Sequence, residues 1–131
     1  MKGTIVVEQG KDGYFSCYLE EEIPYLGLHG YGESSQEAID NLIAFYEEGK
    51  SMMTEEGKKV PEIEFSVKYD MAAFFNRFDF LNQSKIAERA GINPSLLRKY
   101  TSGVAKAGKQ QYEKLSKAVK SLATEMLAAT F

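Results

Sequence analysis

The side chains of this chain best arranged for chemistry are hydrogen-bonding and cationic groups that recognise a ligand rather than transform one. Within QSKIAERAGINPSLLRKYTSG, residues 83–103, the positions Asn93, Ser95, Arg98, Lys99 and Ser102 fall on one face of a short helix. Such a face, carried on a helix whose N-terminus is the positive dipole end, suits the edges of base pairs in the major groove of DNA. Gln83 and Ser84, at the start of the helix before it, are placed to hydrogen-bond a phosphate. Lys85, Lys106 and Lys109 are placed to neutralise phosphate charge. The plainer reading is an ordinary αα-hairpin with a solvated basic face.

The elements that must hold these groups are two helices and a tight turn. Ile86, Ala87 and Ala90 give the first helix, beginning near Ser84, a small apolar stripe. A larger residue at Ala87 would keep the two helices apart. Gly91 is the residue type that adopts φ > 0 and ends a helix abruptly. Ile92 is an apolar plug, and Asn93-Pro94 supplies an N-cap followed by proline at the first helical position. Ser95 to Ser102 is expected as the second helix, with Leu96, Leu97 and Tyr100 inward and Gly103 closing it.

Catalytic constellations are absent from the sequence pattern. His29 is the single histidine and Cys17 the single cysteine, which excludes a zinc cluster and an intramolecular disulfide. Glu37, Asp40, Glu47 and Glu48 read as the wet face of a helix, and Glu20-Glu21-Glu22 as a loop. Neither is a convergent magnesium site. The expectation is therefore no enzymatic activity, no cofactor and no metal. No apolar run approaches membrane-spanning length, and residues 1–13 lack a signal-peptide core, so a cytoplasmic protein without a membrane partner is expected.

The formal net charge of −3 hides a division. Residues 1–68 carry 6 basic and 14 acidic side chains, and residues 69–131 carry 10 and 5. An acidic half followed by a basic half indicates two modules, and only the second attracts a polyphosphate. The first half reads β-β-β-α-β. Thr4–Glu8 is rich in β-branched residues, and Asp12-Gly13 is a hairpin cue. Residues 14–19 alternate, Leu26–Tyr31 gives a short third strand, and 63–69 alternate again. Between them Ser34 and Glu37 make a capping box for an amphipathic helix, with Gly49 to Lys59 as loop. Cys17 belongs to the core face of its strand. Tyr14, Tyr18 and Tyr25 are candidate aromatic anchors for a protein partner.

Asp70 changes the regime. It is expected to cap a helix over 71–78 that packs beneath the helix-turn-helix. Further on, Tyr112, Leu115, Val119, Leu122 and Met126 recur at steps of three and four on a helix over 109–127. The first half of this seam closes a helical domain; the second half either completes that closure or packs on a second copy. A dimer would set two recognition helices about one DNA turn, roughly 34 Å, apart. The domains are thus expected at 1–69 and 70–131, an α+β module followed by an all-α one.

With both halves in view, the chain resembles the HicB family of antitoxins. The matching stretches are Gly13-Tyr14-Phe15-Ser16, Ile23-Pro24-Tyr25-Leu26-Gly27, Gly32-Glu33-Ser34-Ser35-Gln36-Glu37-Ala38, and, the most specific, Ala87 to Gly103. The resemblance implies a partial ribonuclease-H-like fold for residues 1–69 and a lambda-repressor-like helix-turn-helix domain for 70–131. It implies that the first domain binds a HicA-type toxin, a small basic RNA-cleaving protein, for which Tyr14, Tyr18 and Tyr25, read above as aromatic anchors, are the candidate contacts. It also implies that the second binds double-stranded operator DNA as a dimer or tetramer and represses its own operon. The chain departs from the family's Pro-Asp-Leu-Pro-Gly segment, where Glu20 to Gly27 stands instead. Two further readings stay open: a stand-alone regulator without a toxin, and a small-molecule sensor.

Overall fold

Branched and alternating stretches form four strands, β1 Lys2–Gln9, β2 Phe15–Leu19, β3 His29–Gly32 and β4 Glu64–Tyr69. They belong to a computed structural model that describes residues 1–131. The strands hydrogen-bond in the order β3-β2-β1-β4. β1 and β3 pair antiparallel with β2, whereas β4 runs parallel to β1. The sheet is therefore mixed, because helix α1, Ser35–Glu55, carries the chain from one edge strand to the other and returns it in the same direction. The α+β organisation expected from the sequence is the one observed.

α1 covers one face of the sheet. Ile5, Val7, Phe15 and Cys17 from the strands meet Ala38, Leu42 and Tyr46 from the helix in one core. Cys17 is buried there, its Sγ–H donating to the Ala38 carbonyl at 3.1 Å. Burial pushes the thiol up to about 11, so it is a core residue rather than a nucleophile. Ser34 caps α1 as expected, its Oγ accepting from Glu37 N at 3.1 Å. The helix does not stop at Gly49, however. It runs on to Glu55, and the Gly57 backbone at φ 75° marks the turn after it. Gly49 serves packing instead, since a Cβ there would lie 2.7 Å from a methyl of Leu26. A second correction concerns the acidic run: Glu21 Oε2 accepts from Thr4 N at 2.6 Å. That bond holds its carboxyl below the usual range.

Helix α2, Met71–Arg77, is capped as expected, Asp70 Oδ1 accepting from Ala73 N at 2.7 Å. It was expected under the helix-turn-helix but belongs to the first compact unit, which spans Met1–Arg77, the second spanning Phe78–Phe131. The ties are specific. Asp70 Oδ2 also accepts from Gln9 N at 3.1 Å, and the buried Ser35 hydroxyl donates to the Ala73 carbonyl at 2.7 Å. Asn76 Oδ1 accepts from Ser35 N at 2.9 Å, and Ala73 sits in the sheet core. The boundary thus falls after residue 77 rather than 69, because polar ties at both ends of α2 outweigh the composition change at Asp70.

The second unit holds α3 Gln83–Ala90, α4 Pro94–Thr101 and α5 Lys109–Ala128. α5 buries Leu115 and Ala118, and an ion pair joins Arg89 of α3 to Glu125 of α5. Both partners are substantially exposed, so the pair contributes at most about 1 kcal/mol. No helix is long and apolar enough to cross a membrane.

Gly30 is the tightest point of the first unit, since a Cβ there would lie 2.0 Å from the Ala38 carbonyl oxygen. Gly30→Ala should lower unfolding stability by about 1–3 kcal/mol or more, read from the urea midpoint. Gly27→Ala, at a site open to solvent, should leave that midpoint nearly unchanged.

Candidate nucleic-acid interface

The turn between α3 and α4 is built by three residues. Gly91 takes φ 71° and ψ 29°, the left-handed conformation that the chain reversal requires. Ile92 N then donates back to the Ala87 carbonyl at 2.9 Å, and the Ile92 side chain is buried. Asn93 Oδ1 accepts from Ser95 N at 2.9 Å, and Pro94 opens α4. Ile86, Ala87 and Leu97 are buried, the last two completely. Leu96 and Tyr100 are half-buried.

That inward stripe leaves Asn93, Ser95, Arg98, Lys99 and Ser102 exposed on the other side of α4. Three of them are already engaged within the unit: Asn93 by its cap, Ser102 by donating to the Lys99 carbonyl at 3.3 Å, and Arg98 by a bond to α3. Arg98 leans across to α3, where its Nη1 donates to Ser84 Oγ at 3.4 Å. Gln83 is drawn in beside it, its Oε1 accepting from the Thr101 hydroxyl at 3.1 Å. The structure thus brings Gln83 and Ser84 together with the α4 residues one helical turn apart that face them. Lys85 is exposed and pairs with Glu88 at 3.7 Å. Lys106 and Lys109 are exposed on the connection after α4 and at the start of α5. The unit carries nine basic and four acidic side chains, an excess that favours a polyanion.

Two contributors escaped sequence reasoning. Asn82 is the N-cap of α3, accepting from Lys85 N at 3.1 Å. Its signal, an asparagine before the helix, was in plain view, but Ser84 competes for the same role. Thr101 carried no local signal, because its partner lies at the far end of another helix.

In the first unit the sheet face opposite α1 is open. Tyr14 and Tyr18 lie on it, together with Tyr31 of β3, which stacks on Tyr14 with ring centroids 5.4 Å apart. Tyr31 O–H also donates to Asp12 Oδ2 at 3.2 Å. Tyr25 is elsewhere, in a Pro24-Tyr25 turn closed by an Ile23–Leu26 bridge, where the Lys58 Nζ stands 5.3 Å from its ring centre. It takes φ 70° without being glycine, a conformation that costs a side-chain-bearing residue about 1–2 kcal/mol. His29 is exposed at the edge strand. A shallow depression around that edge is lined by Tyr18, His29, Tyr31, Asn41 and Phe45. No three His, Cys, Asp or Glu side chains gather where they could hold a metal ion.

Comparison with protein-family models, with curated proteins and with solved structures finds no match for this chain.

The turn depends on Gly91. Gly91→Ala should destabilise the second unit by about 1–2 kcal/mol, seen as faster amide exchange in α3 and α4. Gly108→Ala, at an open position of negative φ, should change exchange far less.

Proposed function

We propose that the protein is a DNA-binding regulator whose second unit places α4 in the major groove of an operator. The observation that carries this reading is the exposed row Asn93, Ser95, Arg98, Lys99 and Ser102. It lies on a helix whose opposite side is fixed by Leu97, in a unit of net positive charge. Asn93, Ser95 and Lys99 read base edges, while Lys85, Lys106 and Lys109 flank the duplex backbone. Arg98, leaning on Ser84, reaches from the seam between the helices toward either the groove or its phosphate rim.

The test is selection of duplexes from a random pool by the full chain at low salt, followed by anisotropy titration. Arg98→Ala should weaken binding by about 1–3 kcal/mol and relax specificity at one position if it reads a base. Lys85→Ala, Lys106→Ala and Lys109→Ala should weaken all duplexes alike, each lowering the slope of log K against log salt by about 0.9. Failure to enrich any duplex would sink the reading.

Along α5 the seam passes from buried Leu115 through half-buried Val119 and Leu122 to exposed Met126. This gradient supports a homodimer or tetramer joined through the later part of the helix. Met126→Asp should shift the chain toward monomer in sedimentation velocity without lowering its helix content.

For the first unit, seven basic and fifteen acidic side chains and the open tyrosine face support capture of a basic protein. A HicA-type toxin is the partner that the resemblance implies, which makes the whole chain an antitoxin that represses its own operon. A short basic protein encoded next to this chain should co-purify with it, and its RNA cleavage should stop on binding. Without such a partner, the remaining reading is a stand-alone regulator.

A further inference from the structure

The pair Thr101 and Gln83 lies outside the recognition row, yet its geometry bears on how that row meets DNA. Gln83 is the first residue of α3 and Thr101 the last of α4, and both are half-buried. The Thr101 hydroxyl stands 3.1 Å from Gln83 Oε1 and 3.3 Å from the Arg98 carbonyl, the first being the shorter contact. A primary amide has one acceptor oxygen and one NH₂ donor. With Oε1 accepting from Thr101, the two Nε2 N–H groups are not used in that bond and remain available as donors. One turn earlier on the same side of α4, Arg98 holds Ser84. Residues 98 and 101 therefore grip residues 84 and 83 as two rungs between the helices.

We infer that Thr101 is a positioning residue for DNA binding, orienting the Gln83 amide so that its NH₂ meets a backbone phosphate. This rests on the DNA-binding reading above and adds to it a residue that touches no DNA. Released from Thr101, the side chain would spread over several rotamers, most of which turn toward the phosphate either no donor or the repelled amide oxygen. Fixing the amide from the last turn of α4 also links the phosphate contact to the reading helix. When the phosphate is engaged, the rotation of α4 along the groove is set by the same bond. Gln83 touches the backbone, and Thr101 acts only through it.

The experiment uses the full chain and the duplex that wild-type protein selects. Thr101→Val keeps the shape and removes the hydroxyl, and should weaken binding about 3- to 10-fold. Thr101→Ser should restore affinity to within about two-fold of wild type. Gln83→Ala should cost at least as much as Thr101→Val, and the double variant should bind no more weakly than Gln83→Ala alone. Thermal melts of the variants should overlay wild type, which separates this role from a purely structural one. Thr101→Val binding as tightly as wild type overturns the inference while leaving the DNA-binding reading intact. So does full additivity with Gln83→Ala. Wild-type protein that selects no duplex overturns both.

Discussion

One backbone torsion sets what the second unit can present. At Gly91 the chain passes through the left-handed region, φ 71°, which side-chain-bearing residues enter only at a cost. That reversal lets Ile92 N return to the Ala87 carbonyl and drops the Ile92 side chain into the interior. α4 then starts at once on Asn93-Pro94. With Ala87 and Leu97 wholly buried, the angle of α4 is no longer adjustable, and its polar face is left in solvent. The placement of that face beside α3, and with it the grip on Gln83 and Ser84, depends on this turn.

The first unit solves a different problem by similar means. A four-stranded sheet covered on one face must bring its edge strand close to α1. It does so with glycine at Gly30 and Gly32, where any Cβ would collide with the Ala38 backbone. Asn41 then donates to the Tyr31 carbonyl at 2.7 Å, which occupies a backbone group at the edge of the sheet that would otherwise invite another strand. The uncovered face keeps its tyrosines, two of them stacked. An acidic surface with exposed aromatic rings is suited to a basic protein and unsuited to a nucleic acid. The opposed charges of the units give them opposite electrostatic preferences.

Some of this was readable residue by residue. The capping serine at 34, the capping oxygen of the aspartate at 70, the glycine at 91 and the Asn-Pro pair at 93–94 each act within a few residues of themselves. Local chemistry suffices to see them. The alternation of Phe15, Cys17 and Leu19 likewise announced a strand with one buried face. The misreadings share the opposite character. Gly49 looked like a helix stop, yet its small size is used to admit Leu26 from a distant loop. Glu21 looked like part of a solvated run, yet it serves a backbone N–H in β1. Tyr31 and Thr101 gave no sign of their roles, because stacking and cross-helix hydrogen bonds join positions far apart in the chain.

The sequence by itself determined the element types, their order, the exposed polar face of α4 and the split of charge, all consequences of short-range periodicity and composition. Tertiary structure alone decided that β4 runs parallel to β1, that α2 joins the sheet unit, and which side chains orient Gln83 and Ser84. Those outcomes depend on competition among distant contacts. Asp70, Ser35 and Asn76 hold α2 only because folding has already brought the ends of β1 and α1 to the same place.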